Sequence, residues 1–200
     1  MKLTSYKQNG NIKLGAFEEG KIYDLHALDG HIADNMLEFL QGGEEQLQLA
    51  MAAMEDGSPT ISAEDVELIS PVPNPPSVRD AYAFRQHVAT ARRNRGLEMI
   101  PEFDEIPIFY FTNHHAVFGK GYFPVLSRHT EKLDFELEFA IIIANGGKDI
   151  KKENADKMIA GYTILNDWSA RDLQREEMQL NLGPAKGKDF ANSFGPYMVT

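Results

Sequence analysis

Leu133-Asp-Phe-Glu-Leu-Glu-Phe139 alternates apolar and acidic residues without interruption and runs on into Ala140-Ile-Ile-Ile143. An extended strand turns successive side chains to opposite faces. The alternation therefore sends Asp134, Glu136 and Glu138 to one side and Leu133, Phe135, Leu137 and Phe139 to the other. Glu136 and Glu138 then stand roughly 6–7 Å apart at the backbone, a gap that two glutamate side chains can close on a single cation. A half-exposed strand with a solvated acidic face has the same pattern. The continuation, apolar on both faces, directs the strand into an interior, and like charges aimed at a core need a cation.

Asp167 follows the apolar-rich run Tyr162 to Asn166. A carboxylate there either projects from a strand end into a site or caps a helix beginning near Trp168 or Ser169. With Glu136 and Glu138 it would surround a doubly charged ion with hard oxygen donors. Such a set favours Mg²⁺, with Mn²⁺ or Ca²⁺ as alternatives, over copper or zinc.

Ser77 to Arg95 contains few helix breakers and ends at Gly96, which predicts a helix over most of that span with the glycine near its C-terminal cap. An unbroken helix would put Asp80 and His87 on one face, about 10 Å apart along the axis. Ser77 to Asp80 is also a capping box, and His87 also reads as a structural histidine beside Phe84. Lys186 and Lys188 lie in the glycine-rich stretch Gly183 to Asp189. A mobile loop there brings an ammonium to an oxyanion, or simply leaves two solvated lysines. The pair His114-His115 is rejected as a two-histidine clamp, because neighbours on a strand point to opposite faces.

The wider composition narrows the function classes. Thirty acidic against twenty basic residues leave a net charge of −10, which repels phosphate backbones and anionic headgroups. Nucleic acid and membrane surfaces are therefore not expected partners. No cysteine is present, so any metal must be held by oxygen or imidazole. With no apolar leader after Lys2 and no run approaching the roughly 18 apolar residues of a span, a soluble cytoplasmic protein is expected.

Short alternating runs punctuated by Asn9-Gly10 and Glu19-Gly20 predict a β meander over Met1 to Asp24, and two short helices around Gly42-Gly43 follow it. Pro71-Val-Pro-Asn-Pro-Pro76 supports neither helix nor central strand. The expected organisation is a small β-rich domain over 1–70, a linker over 71–76 and a metal-binding domain over 77–200. Strands are expected at Ile108–Thr112, Leu133–Ile143 and Tyr162–Asn166, and helices at Lys152–Ile159 and Ala170–Leu180. Tyr197 to Thr200 begins a strand for which no partner follows, so the sequence is expected to be a piece of a longer protein.

Four segments carry a resemblance. Arg79-Asp-Ala-Tyr-Ala-Phe-Arg-Gln-His87, Leu133-Asp-Phe-Glu-Leu-Glu138, Asn166-Asp-Trp-Ser-Ala-Arg-Asp-Leu-Gln174 and Gly187-Lys-Asp-Phe190 together resemble the fumarylacetoacetate hydrolase family, in the family's order. The resemblance implies a mostly β (α+β) fold: a β-roll or sandwich around a metal, a small N-terminal β-rich domain and a homodimer. It implies Glu136, Glu138, Asp167 and Asp80 as metal ligands, His87 as proton acceptor for the attacking water and Lys188 as the group polarising a substrate oxygen. Tyr82, Tyr110, Arg171 and Gln174 match or neighbour substrate-side positions. Gly96, with Arg95 beside it, stands where the hydrolases carry an arginine. A glutamate assisting the histidine and a substrate-binding threonine would fall after Thr200.

The function so implied is metal-dependent hydrolysis of a carbon–carbon bond in a small diketo acid, fumarylacetoacetate- or acylpyruvate-like. A keto-acid decarboxylase, hydratase or isomerase is the near alternative, and a non-catalytic metal- or ligand-binding module the distant one.

Overall fold

Asn9-Gly10 and Glu19-Gly20 take positive φ at both residues in the computed structural model, which describes residues 1–200. Tight hairpin turns need that backbone, and glycine adopts it without steric cost. The expected meander results: β1 (Lys2–Gln8), β2 (Asn11–Glu18) and β3 (Lys21–Asp24). Asp24 accepts from the Ala27 amide to open α1 (Leu25–Leu28), one turn that the sequence pattern did not reveal. Asn35 caps α2 (Met36–Gln41), and Gly43, at φ +60, breaks the chain before α3 (Gly43–Asp56). These helices cover the meander and bury Leu3, Leu14, Leu25, Ile32, Met36 and Phe39 in one core.

Two short strands, β4 (Ile61–Ser62) and β5 (Glu67–Leu68), precede the proline-rich segment. Beyond it the structure departs from expectation. Residues 78–81 form a strand, β6 (Val78–Ala81), and only Arg85–Asn94 is helical, as α4. The helix does end as predicted: Gly96 takes φ +72, while its amide and that of Leu97 bond back to the Arg93 and Arg92 carbonyls. What wins upstream is pairing, because β6 forms an antiparallel ribbon with β7 (Phe109–Thr112), and a long-range ladder overrides local propensity. Asp80 and His87 therefore share no helix face, and no capping box exists at Ser77.

The chain continues through β8 (Val117–Phe118) and β9 (Leu133–Asp134) to β10 (Leu137–Ile143). The single strand expected over Leu133–Ile143 is thus broken at Phe135-Glu136. A 3₁₀ segment over Lys152–Met158 leads to β11 (Ile159–Asp167), β12 (Ser169–Ala170) and α5 (Arg171–Gln179). Last come α6 (Ala185–Lys188), β13 (Asn192–Phe194) and β14 (Met198–Val199).

One ten-stranded sheet runs in the order β4-β3-β2-β1-β14-β11-β13-β8, with β10 also on β11 and β5 also on β1. β14 has partners after all: Lys2 and Leu3 pair with Val199 and Met198, and Tyr162 pairs with Val199 on the other side. Met198 enters the core of the first segment. Residues 1–70 and 77–200 are therefore joined through a shared sheet.

The β10–β11 pair turns its acidic face inward, the orientation in which like charges need a cation. Leu137, Phe139, Ile141 and Ile143 lie on the open face, with Tyr162 and Ile164 beside them, and Phe139 and Tyr162 stack at 5.1 Å. Of the apolar continuation only the alternate positions reach inward, with Ile142 packing against the core, and Glu136 and Glu138 share that inward side. Leu3→Ala should lower the unfolding free energy by about 2–5 kcal/mol, whereas Leu137→Ala, whose side chain is 74% exposed, should change it by less than about 0.5 kcal/mol. Urea denaturation of the two variants checks this orientation of the sheet.

Candidate metal centre

Asp167 closes β11 on its inward face and is only 1% exposed. The helix beyond it starts at Arg171 after a cap at Ala170, so Asp167 is no helix cap. The β6–β7 register places Asp80 opposite Tyr110 on one side of the ribbon, and the Tyr110 hydroxyl donates to Asp167 Oδ2 at 3.0 Å. Glu138, opposite Leu165, enters from β10 on the inward face. Ligand oxygens of Asp80, Glu138 and Asp167 all lie within 4.8 Å of one another.

Glu136 sits apart from this trio. Its carboxylate takes Arg171 Nη1 at 2.5 Å and Lys188 Nζ at 2.9 Å. Glu136 keeps the inward side of Glu138, and its carbonyl accepts from the Asp167 amide; the two differ because Arg171 and Lys188 claim the Glu136 carboxylate. The Glu136 amide bonds to Asn166 Oδ1.

Lys188 is buried, 3% exposed, and bridges Asp167 Oδ2 at 2.6 Å and Glu136. A short helix, not a mobile loop, delivers it. Glu177 of α5 accepts from the amides of Lys186 and Gly187 at 2.8 and 2.7 Å and so anchors α6 on α5. A Cβ at Gly187 would stand 2.8 Å from the Gln174 backbone, so only glycine permits that approach. Lys186 stays in solvent. Glu177 escaped the sequence reading because its role depends on an α5–α6 contact that no spacing encodes.

Burial pushes the Glu138 carboxyl up to about 8, helped by Asp80, Asp167 and Glu136. Burial likewise raises Asp167 to about 6, against the pull of Lys188. Burial acts to raise Glu136 too, yet Lys188 and Arg171 overcome it and hold this carboxyl below its usual range. Burial and the charges of Asp167 and Asp80 drive the Tyr110 phenol upward, which keeps it a donor. Three carboxylates thus crowd one buried place, and Asp167 Oδ1 has no hydrogen-bond partner there. A divalent cation fits these residues, because hard oxygen donors need positive charge and an orphaned buried acceptor needs a partner.

The remaining predicted residues divide. Arg171 donates to Asp134, Glu136 and Gln174, which places Gln174 beside the centre. His87 is exposed on α4 and lines an open groove of about 610 Å³ with Phe84, Arg85 and Thr90. Neither it nor Tyr82, 55% exposed, joins the hydrogen bonds and ion pairs that hold Asp167 and Glu136. His114 and His115 occupy the turn after β7 with their rings 4.2 Å apart and belong to no metal-like group.

The family model for the fumarylacetoacetate (FAA) hydrolase C-terminal domain matches residues 77–200. The chain belongs to the fumarylacetoacetate hydrolase family. Oxaloacetate tautomerase YisK of Bacillus subtilis is 31% identical over 190 residues, covering 90% of this chain and 60% of that protein. The mitochondrial oxaloacetate tautomerase fahd2 of Xenopus laevis is 29% identical over 182 residues, covering 90% and 54%. The chain thus spans little more than half the length of these curated relatives. The solved fumarylacetoacetate hydrolase of Exiguobacterium antarcticum superposes with a TM-score of 0.67 at 27% identity, over 100% of this chain and 66% of that one. The mostly β family fold is therefore the one found here.

Glu138 and Asp167 bind protons more tightly folded than unfolded. Their stabilising contribution is complete at acid pH, below their ordinary values of 4.5 and 3.8, and is lost as pH rises through about 6 for Asp167 and about 8 for Glu138. Melting temperature in chelator should therefore fall by several degrees between pH 5 and 8.5, and saturating Mn²⁺ should cancel most of that fall. The same slope with and without the ion would remove these carboxylates from the binding site.

Proposed function

We propose that the chain holds one Mg²⁺ or Mn²⁺ ion between Asp80, Glu138 and Asp167 and interconverts the keto and enol forms of a small 2-keto acid of the oxaloacetate kind. The observation that carries the reading is the buried Asp167, with its unpartnered Oδ1 turned among two further carboxylates. The names of the relatives at 29% and 31% identity support the substrate class and the tautomerisation. Family membership supports an enzyme rather than a passive ion-binding module.

A divalent ion supplies positive charge to the substrate oxygens and lowers the cost of an enolate. The chain's own groups do the rest. Lys188 Nζ, fixed by Asp167 and Glu136, places a buried ammonium beside the bound acid, where a developing negative oxygen is stabilised without reorganisation. Tyr110 Oη keeps its proton and holds Asp167 Oδ2, so Oδ1 remains the free donor atom. Arg171 and Gln174 line the approach from α5. In a chain of net charge −10, these local cations make an anionic substrate acceptable.

Carbon–carbon bond hydrolysis is the second reading, favoured by the Exiguobacterium antarcticum hydrolase at 27% identity. It requires His87 as base on water, and so a closure that carries α4 onto the centre.

The test is to add Mn²⁺-loaded protein to freshly dissolved enol oxaloacetate and to an acylpyruvate. Loss of enol absorbance is followed in the first, and cleaved acid plus pyruvate is sought by mass spectrometry in the second. Faster keto–enol equilibration, abolished by Glu138→Gln and indifferent to His87→Ala, is expected. Cleavage that depends on His87 would establish the second reading. Ion binding without turnover of either compound would leave a binding module.

A further inference from the structure

Asp134 is acidic and lies outside the carboxylate trio, and none of the roles assigned above needs it. It lies on β9, where its partner across the ladder is Ser169 of β12, two residues before Arg171. Its Oδ1 accepts from the Phe135 amide at 2.9 Å, and its Oδ2 accepts from Arg171 Nε at 2.8 Å. Arg171 Nη1 reaches on to Glu136 Oε1 and to Gln174 Oε1 at 3.1 Å. Asp134, Arg171 and Glu136 thus form one chain of charge-assisted bonds across the break between β9 and β10.

We propose that Asp134 is a positioning residue for the ion centre, acting through Arg171 on Glu136. The inference rests on the reading of Asp80, Glu138 and Asp167 as an ion site. The guanidinium is planar, so fixing Nε also fixes the direction of Nη1. With Asp134 in place, Arg171 presents Nη1 to the outer oxygen of Glu136, while Lys188 takes the inner one. Glu136 is thereby held where it shares Lys188 with Asp167 and steers that ammonium. Once Asp134 is neutralised, Arg171 keeps bonds through Nη1 alone and can rotate about it. Glu136 then loses its fixed direction, and the balance of charge around Asp167 changes with it.

The donor count also alters the role of Arg171. Nε and Nη1 are committed within the protein, so only Nη2 remains for a substrate. Its main task in this arrangement is to transmit the position of Asp134.

Asp134→Asn isolates the contact. The amide oxygen can still accept from Phe135, while the group facing Arg171 becomes a donor, and at a half-exposed strand position the chain keeps its fold. Mn²⁺ affinity is measured by titration calorimetry on the 200-residue chain for the wild type, Asp134→Asn, Arg171→Gln and the double variant. Asp134→Asn should weaken binding measurably, by less than the roughly 10- to 100-fold usual for groups bonded directly to a ligand, because it acts through Arg171 and Glu136. In the Arg171→Gln background the same change should have little further effect, and Asp134→Glu should recover part of the loss. Equal weakening in both backgrounds would show that Asp134 does not act through Arg171, and unchanged affinity in Asp134→Asn would overturn the proposal outright. If the wild type itself binds no Mn²⁺, the ion-site reading on which the proposal rests fails instead.

Discussion

The Lys188 ammonium, almost fully removed from water between Asp167 and Glu136, is the contact around which the centre is organised. An unpaired charge in such a place costs several kcal/mol, so the lysine and its two carboxylates are tenable only together. Their assembly draws on four parts of the fold: the end of β11, the break before β10, the α5–α6 contact and the β6–β7 ribbon that supplies Tyr110 and Asp80. Apart from β11 and β10 these elements are short, and none would fix a side chain unaided. Mutual bonding among the charged groups does so.

Much of this was legible from residue order. Glycine-bearing turns located the meander, the glycine break separated α2 from α3, and the four family segments pointed to the carboxylates, Lys188 and Arg171. Other features were hidden for physical reasons. Ser77 to Arg95 contains few helix breakers, yet β6 exists because a partner some thirty residues downstream claims its backbone. Glu136 and Glu138 have equal standing in an alternating pattern, and only the distant Arg171 and Lys188, which reach Glu136, give them different partners. Glu177 looks like an ordinary surface acid until its contacts on α6 are known, and the Asp134 partner Arg171 lies on another element.

The alternating strand also shows the limit of reading polarity as burial. Its acidic face is the inner one: Leu137, Phe139 and Ile141 are open, while Glu138 is half-buried and Asp167 on the neighbouring strand is enclosed. An acidic face can be the inner one only where cations compensate it. Lys188 and Arg171 supply part of that charge, which is why the orphaned oxygen of Asp167 carries so much meaning.

The position of β14 has a bearing on the order in which the molecule is made. One edge of β1 is covered by β2, but the other is divided: Tyr6 and Lys7 pair with β5, whereas Lys2 and Leu3 wait for Met198 and Val199. At about 5–20 residues per second, translation separates the two closures by roughly 7–26 s. During that interval the first strand is zipped over half its outer edge and open over the rest, with its core lacking Met198. A nascent chain in that state exposes backbone donors and acceptors to any passing strand, so the ribosome's pace and the protection of the emerging meander bear directly on yield.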